Sequence, residues 1–408
     1  PIPDFGDRKV EFEKLKKWKF PILKKAAHNF FKDGSDKDIA EYSDFCNEHD
    51  FWLNDYALFI VIKSLENKLN WSDWEPRYKN LDKDAIRDIF TIYEDQIEEI
   101  KILQYFFYKQ WEILKAYATS RGIKLIGDIP IYISFNSADV WKNQSLFKLD
   151  QDSKMKYQSG CPPDYFMESG QLWGHPIYDW QKHLDSGFNW WINRINYIIK
   201  YVDIIRIDHF NGFAKYWEVP ANDLNAIHGK WVKAKGTELL DNLFRTEKKI
   251  YLIAEDLGEA SADAAVIRKK YNIPGMSVLQ FAFYEEDPLS DIQENTVLYT
   301  GTHDNDTSIG WYNSLNGQLP QDKMDMVKNI LNLNSKEVNW AMIEYAFQSR
   351  ALNVMVPVQD LLGLGSEARM NTPGTISDQN WTWRMTQNDL KDSIMHKMKK
   401  ITQKANRI

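Results

Sequence analysis

The sequence predicts an α/β fold, a (β/α)8 TIM barrel with helical and loop insertions, and three observations carry that expectation. Short, nearly continuous apolar segments recur through the later two thirds of the 408 residues. Amphipathic stretches separate several of them, and ionisable residues gather at their C-terminal ends. A strand buried on both faces of a parallel sheet reads as such a run.

The elements follow in order. From about Lys9 to Ser120 the pattern is helical: Ile86, Ile89, Phe90, Tyr93, Ile97 and Ile100 keep to one side of a 3.6-residue period. Residues 1–122 are therefore expected to form a mostly helical subdomain. Gly122 closes that pattern and "IKLIGDIPIYI" opens the first strand. Further strands are expected in "VDIIRIDHF" (202–210), "IYLIAEDLG" (250–258), "MSVLQFAF" (276–283), "TVLYTGTHDND" (296–306) and "NVMVPVQD" (353–360). The helical stretches "WWINRINYIIKYV" and "SADAAVIRKKYN" flank the second and third of these. Residues 123–408 are thus expected to carry barrel strands, with 134–185 a long lid-like insertion. A doubly wound sheet shows the same alternation, but no glycine-rich phosphate loop or dinucleotide fingerprint follows any strand. Six visible strands out of eight imply that the first two barrel strands lie upstream of residue 1 or within the helical N-terminal third.

Composition narrows the function. A net charge of −7 argues against a phosphate-backbone partner, so nucleic acid is not expected. The basic run "KLKKWKF" reads as a solvated helix face. Cys46 and Cys161 are too few for a disulfide framework or a zinc site and suit a reducing, cytoplasmic compartment. No apolar run is long enough for a membrane span, so no membrane partner is expected.

Three carboxylates stand at the ends of different strands: Asp208, Glu255 and Asp304. A single strand-end acid often does no more than cap the following helix. Three at matching positions form the set that glycoside chemistry needs, one to attack the anomeric carbon and another to protonate the leaving oxygen. Arg206 precedes Asp208 by two residues, so both side chains share one side of the strand, and the guanidinium favours the charged carboxylate. His209 and His303 each adjoin a candidate aspartate and are expected to contact substrate hydroxyls. His303 and Asp304 have no third metal ligand at a recognisable spacing, so a catalytic metal is not expected. Tyr165, Phe166 and Trp173 in the glycine- and proline-rich insertion are candidates to stack on sugar rings.

The motifs "GDIPIYI", "GCPPDYFMESGQLWGHPIYDW", "RIDHFNGF", "LIAEDLG", "YTGTHDNDTSIGW", "VMVPVQDLLGLGSEARMNTPGT" and "NWTWR" resemble, in order, those of the amylomaltases, the 4-α-glucanotransferases or disproportionating enzymes of glycoside hydrolase family 77. The resemblance runs from about Ile123 to Arg384. It implies a (β/α)8 barrel without cofactor, acting on maltooligosaccharides and on starch- or glycogen-derived α-1,4-glucans by a retaining double displacement. It makes Asp208 the nucleophile, Glu255 the acid/base and Asp304 the transition-state stabiliser. It also implies that Arg206, His303, Asp128, Asp164, Gln171, Trp173 and Asn371 hold the glucan. The chain departs from the family pattern at Asn211, usually Arg, and at Cys161, usually Ala; neither is catalytic. Two rival readings use the same residues: an α-amylase-like hydrolase with a wetter acceptor site, and a glucan-binding protein that has lost turnover.

Overall fold

The computed structural model describes residues 2–67, 69–163, 168–246, 249–258, 261–283, 287–315 and 319–407. The chain divides into two compact units, one of Lys17–Leu252 with Ala262–Ile267, the other of Pro1–Lys16, Ile253–Ser261 and Arg268–Ile408.

The Lys17–Leu252 unit begins with helices, as the periodicity requires. They are α1 (Phe12–Asp33), α2 (Asp36–Glu48), α3 (Asp50–Leu65), α4 (Pro76–Lys79), α5 (Lys83–Ile92) and α6 (Glu94–Ser120). Ser35 caps α2 by accepting from the Asp38 N–H, while Asp38 accepts from the Ser35 N–H. Ala27, Phe30, Tyr42, Phe45, Leu53, Ile102 and Tyr105 form one aromatic-rich core among these helices. The apolar face read from Ile86 to Ile100 is divided at Tyr93, where α5 stops and α6 begins.

Strand β1 (Ile126–Pro130) follows, then α7 (Ala138–Lys142), β2 (Tyr157–Cys161), β3 (Gln171–Pro176), α8 (Trp180–Asp185), α9 (Asn189–Tyr201) and β4 (Ile204–Asp208). Strands β5 (Lys215–Pro220) and β6 (Lys230–Lys233) precede β7 (Leu252–Ala254). β1 and β4 pair in parallel, with Asp128 beside Arg206 and Pro130 beside Asp208. β7 takes the next place, its approach fixed by the Ile205 N–H donating to Tyr251 O at 2.9 Å.

The 134–185 segment is more ordered than the expected loop. β2 and β3 join β5 and β6 in an antiparallel sheet of order β3–β2–β5–β6. Its glycines obscured the strands in the sequence, yet one has a packing reason: a Cβ on Gly160 would stand 2.3 Å from Gln171 O, where the β2–β3 register shifts.

In the other unit β8 (Gly275–Val278), β9 (Thr296–Tyr299) and β10 (Asn353–Met355) make a parallel sheet of order β10–β9–β8. The strand expected over 276–283 ends at Val278 and turns into the short helix Leu279–Ala282. Likewise "NVMVPVQD" is strand only to Met355 before the helix Val358–Leu362. Ala254 at the end of β7 donates its N–H to Pro274 O at 2.9 Å, just ahead of β8. Leu279, Phe283, Leu298, Val327, Met342 and Ala346 anchor this unit's core. Among the described residues the strands do not close into a ring.

Candidate active site

The Lys17–Leu252 unit carries one set of candidate residues. Asp208 is the last residue of β4, and Arg206 sits two residues earlier on the same side of the strand, as the period of two requires. Arg206 is buried at 8 % exposure. Its Nη1 donates to both oxygens of Asp128 at 2.8 Å and to Asp208 Oδ1 at 3.1 Å. The guanidinium therefore joins two carboxylates from adjacent strands, and the Asp128–Arg206 register makes that reach possible.

Directly after β4 the backbone of His209 enters the left-handed region, with φ of 47°. A non-glycine residue there is uncommon, and such conformations concentrate at functional sites. The turn brings the imidazole edge-on to Trp173 at 4.8 Å between ring centres. Burial pushes the His209 pKa down to about 4, so the ring is neutral when it packs. Trp173 lies on β3, donates through Nε1 to Gln171 Oε1 at 3.1 Å, and meets Tyr132 at 6.1 Å. Thus Gln171, Trp173 and His209 form one group. Two residues escaped the sequence reading: Tyr132, inside the quoted "GDIPIYI", and His175, whose pKa burial lowers against the opposing charge of Asp208.

The other unit carries the second set. Glu255 follows β7 directly and is half-buried. Its loop is pinned by Asp256, which pairs with Arg268 at 2.8 Å and accepts the Met276 N–H at 2.9 Å. His303 and Asp304 lie on the loop after β9. Within it Asn305 Oδ1 accepts from the Thr302 N–H and Oγ1 at 2.9 and 2.8 Å, and the Asp304 N–H donates to Thr302 Oγ1 at 3.2 Å. Asn371 donates through Nδ2 to Asp304 Oδ1 at 2.6 Å and through its backbone N–H to His303 O at 3.0 Å. Arg369 donates to Asp304 O at 2.7 Å and to Asn371 O at 2.8 Å, so it fixes both. Trp381, with φ of 62° and 49 % exposure, lies over His303 at 5.2 Å between ring centres. Arg369 and Trp381 were also missed, although both stand within the quoted motifs "SEARMNTPGT" and "NWTWR".

Gln359 and Asp360, the polar pair that ends the segment "NVMVPVQD", are buried. Asp360 accepts from Thr300 Oγ1 at 2.8 Å and from the Ser308 N–H and Oγ at 2.7 Å each, and burial raises its pKa. It holds both ends of the loop that bears His303 and Asp304. Asp164, Tyr165 and Phe166 lie outside the described residues.

Parallel strands ending in hydrogen-bonded carboxylates, accompanied by indole and imidazole rings, are the equipment of a carbohydrate-active enzyme. A family model described as 4-α-glucanotransferase matches residues 4–390. The chain is 39 % identical over 377 residues to a 4-α-glucanotransferase of Aquifex aeolicus, covering 92 % of this chain and 76 % of that one. It is 39 % identical over 407 residues to the chloroplastic/amyloplastic 4-α-glucanotransferase of Solanum tuberosum, covering 98 % and 69 %. The solved amylomaltase of Streptococcus agalactiae in complex with acarbose superposes with a TM-score of 0.93 at 34 % identity, over 99 % of this chain and 82 % of that one. The chain belongs to the 4-α-glucanotransferase family, glycoside hydrolase family 77.

Proposed function

We propose that this enzyme transfers α-1,4-glucan segments between maltooligosaccharides by a retaining double displacement. Family membership carries the reading, and the side-chain bonds around Asp208 and Asp304 support it. The parallel strands, in order along the chain and with Ala254 bonded to Pro274, support a (β/α)8 barrel as the underlying architecture. Residues 1–122 and 134–185 are then subdomains carried on it. Two cysteines without a disulfide suit a cytoplasmic location.

In this mechanism Glu255 protonates the glycosidic oxygen as Asp208 attacks the anomeric carbon, forming a β-glucosyl ester and releasing the shortened glucan. Glu255, now a base, takes the proton from the 4-hydroxyl of an acceptor sugar, which displaces Asp208 with net retention. The two carboxyl groups of a retaining pair stand roughly 5–5.5 Å apart. Arg206 holds the Asp208 carboxylate by one oxygen, leaving the other for attack, while Asn371 and Arg369 orient Asp304. Trp173, braced by His209, offers a flat apolar face to a sugar ring. Asp164 belongs to the same glucan-holding set by resemblance to the family, and Tyr165 and Phe166 beside it are aromatic rings suited to stacking on a sugar.

Incubation with maltotriose alone tests the proposal. A ladder of longer maltooligosaccharides together with glucose is expected. Glucose and maltose without a ladder would identify a hydrolase, and unchanged maltotriose would leave a glucan-binding protein.

A further inference from the structure

The Lys17–Leu252 unit contains a cleft of about 600 Å³ lined by α3, α7, α9 and adjoining chain, and none of the described candidate active-site residues lines it. That volume falls within the range of roughly 300–1,000 Å³ typical of small-molecule sites. We propose that it is a second α-glucan-binding site, one that anchors the enzyme to a longer chain. The inference rests on the glucan reading of the preceding section.

The walls combine two chemistries. Trp190 and Tyr197 from α9 and Phe51, Trp52 and Tyr56 from α3 contribute aromatic rings. Trp52 meets Tyr197 edge-on at 5.4 Å and Tyr56 at 6.0 Å, and Phe51 meets Tyr197 at 5.8 Å, so these four rings form one connected group, with Trp190 standing separately on the wall. Phe51 is 47 % exposed, apolar area left open beside the cleft. Between the rings stand the side-chain amides of Asn143, Asn189 and Asn193, each able to donate and accept. Flat apolar faces interleaved with bifunctional amides suit a ring that is apolar on its faces and hydroxylated round its edge.

Charge decides between a sugar and an anion. Lys142 donates to Asp55 Oδ1 at 2.8 Å. Asp139 accepts the Trp190 Nε1–H at 3.2 Å, which fixes the indole. Arg194 stacks between Trp190 and Trp191 at 5.3 and 5.2 Å and donates to Pro130 O at 2.8 Å. Lys142 is paired with Asp55, and Arg194, bonded by Nη2 but with Nη1 unpartnered among the described residues, is offset in net charge by Asp139, so the cleft carries no excess positive charge and suits a neutral polyhydroxyl ligand better than a phosphate. The Arg194 bond also ties the wall to the end of β1, where Pro130 stands beside Asp208 in register. A polymeric substrate held there gains effective concentration at the catalytic carboxylate without any new contact to the reacting sugar.

The test titrates maltoheptaose into the Asp208→Asn enzyme by calorimetry, alone and combined with Asn193→Trp or Phe51→Ala. Asn193 is exposed on α9, so the indole fills the cleft without disturbing the core. Two classes of glucan site are expected. Asn193→Trp should abolish one and leave the other, which also reports an intact fold, and Phe51→Ala should weaken the same class by roughly tenfold. A single class in the parent, or two classes untouched by Asn193→Trp, overturns the inference. If wild-type enzyme makes the maltotriose ladder while only one class is seen, this inference alone fails. If there is neither ladder nor glucan binding, the reading beneath it fails as well.

Discussion

Replacing Asp360 by Ala should disable the enzyme from a position that touches no substrate. Asp360 is 1 % exposed and accepts three hydrogen bonds, from Thr300 Oγ1, Ser308 N–H and Ser308 Oγ. Thr300 and Ser308 bracket the loop bearing His303 and Asp304. The two hydroxyls can rotate toward other acceptors, but the Ser308 N–H cannot. A buried donor left without a partner costs about 1–3 kcal/mol, and a bond to a charged acceptor contributes about 1.5–3 kcal/mol. Part of the loss is offset, because burial raises the Asp360 pKa and ionising it in place is costly. The net expectation for Asp360→Ala is about 3 kcal/mol of stability and, if the loop shifts by about 1 Å, on the order of a hundredfold in kcat. Asp360→Asn keeps the shape: its oxygen accepts the Ser308 N–H and its amide donates to the hydroxyls, so most activity should return. Because the folded-state pKa is raised, the Asp360 contribution to stability is greatest below the ordinary carboxylate range and falls as pH rises through the raised value. Asp360→Asn should remove that dependence. Thermal unfolding and maltotriose kinetics measure both effects. A folded Asp360→Ala enzyme with wild-type kcat would refute the claim that this residue positions the Asp304 loop.

Three further expectations follow from single contacts. Asn371→Ala removes the 2.6 Å bond to Asp304, and kcat on maltotriose should fall by roughly ten- to a hundredfold with a smaller change in KM; an effect on KM alone would assign Asn371 to ground-state binding. Gly236→Ala would set a Cβ 2.3 Å from Phe213 O, a backbone atom that cannot yield, so melting should drop by several degrees, at about 1–3 kcal/mol for overpacking; an unchanged melting point would mean the chain slides freely there. Burial pushes His183 and His209 from 6.5 down to about 4, so the unfolded chain takes up protons first. The histidines' contribution to stability should therefore be full above about pH 6.5 and decline toward pH 4, and His183→Phe should flatten that decline in a melting series.

Much of this arrangement is legible in the chain because it depends on local rules. The period of two puts Arg206 and Asp208 on one side of β4, and the structure shows them bonded. The apolar runs located every parallel strand described here, though longer than the strands are. Segments such as "SVLQFAF" and "VMVPVQD" stay apolar after the ladder stops, since short buried helices need the same residues as strands. The antiparallel sheet of β2, β3, β5 and β6 was hidden because Gly160, Gly170 and Gly174 look like loop punctuation, whereas Gly160 marks close backbone approach. Tyr132, Arg369 and Trp381 were missed because their contacts are long-range. Nothing in the neighbourhood of Arg369 says that it will hold Asp304 O, sixty-five positions away in sequence. Asp360 carried the right signal, an acid after a strand, but its partners make it a loop anchor.

The central claim is that Asp208 becomes covalently glycosylated. The direct measurement treats the Glu255→Gln enzyme with α-maltotriosyl fluoride, whose fluoride leaves without protonation, and maps the adduct by mass spectrometry of peptides. A maltotriosyl ester on the peptide containing Asp208 is the predicted result. An adduct on a different carboxylate, or release of β-configured product with no adduct, would contradict it.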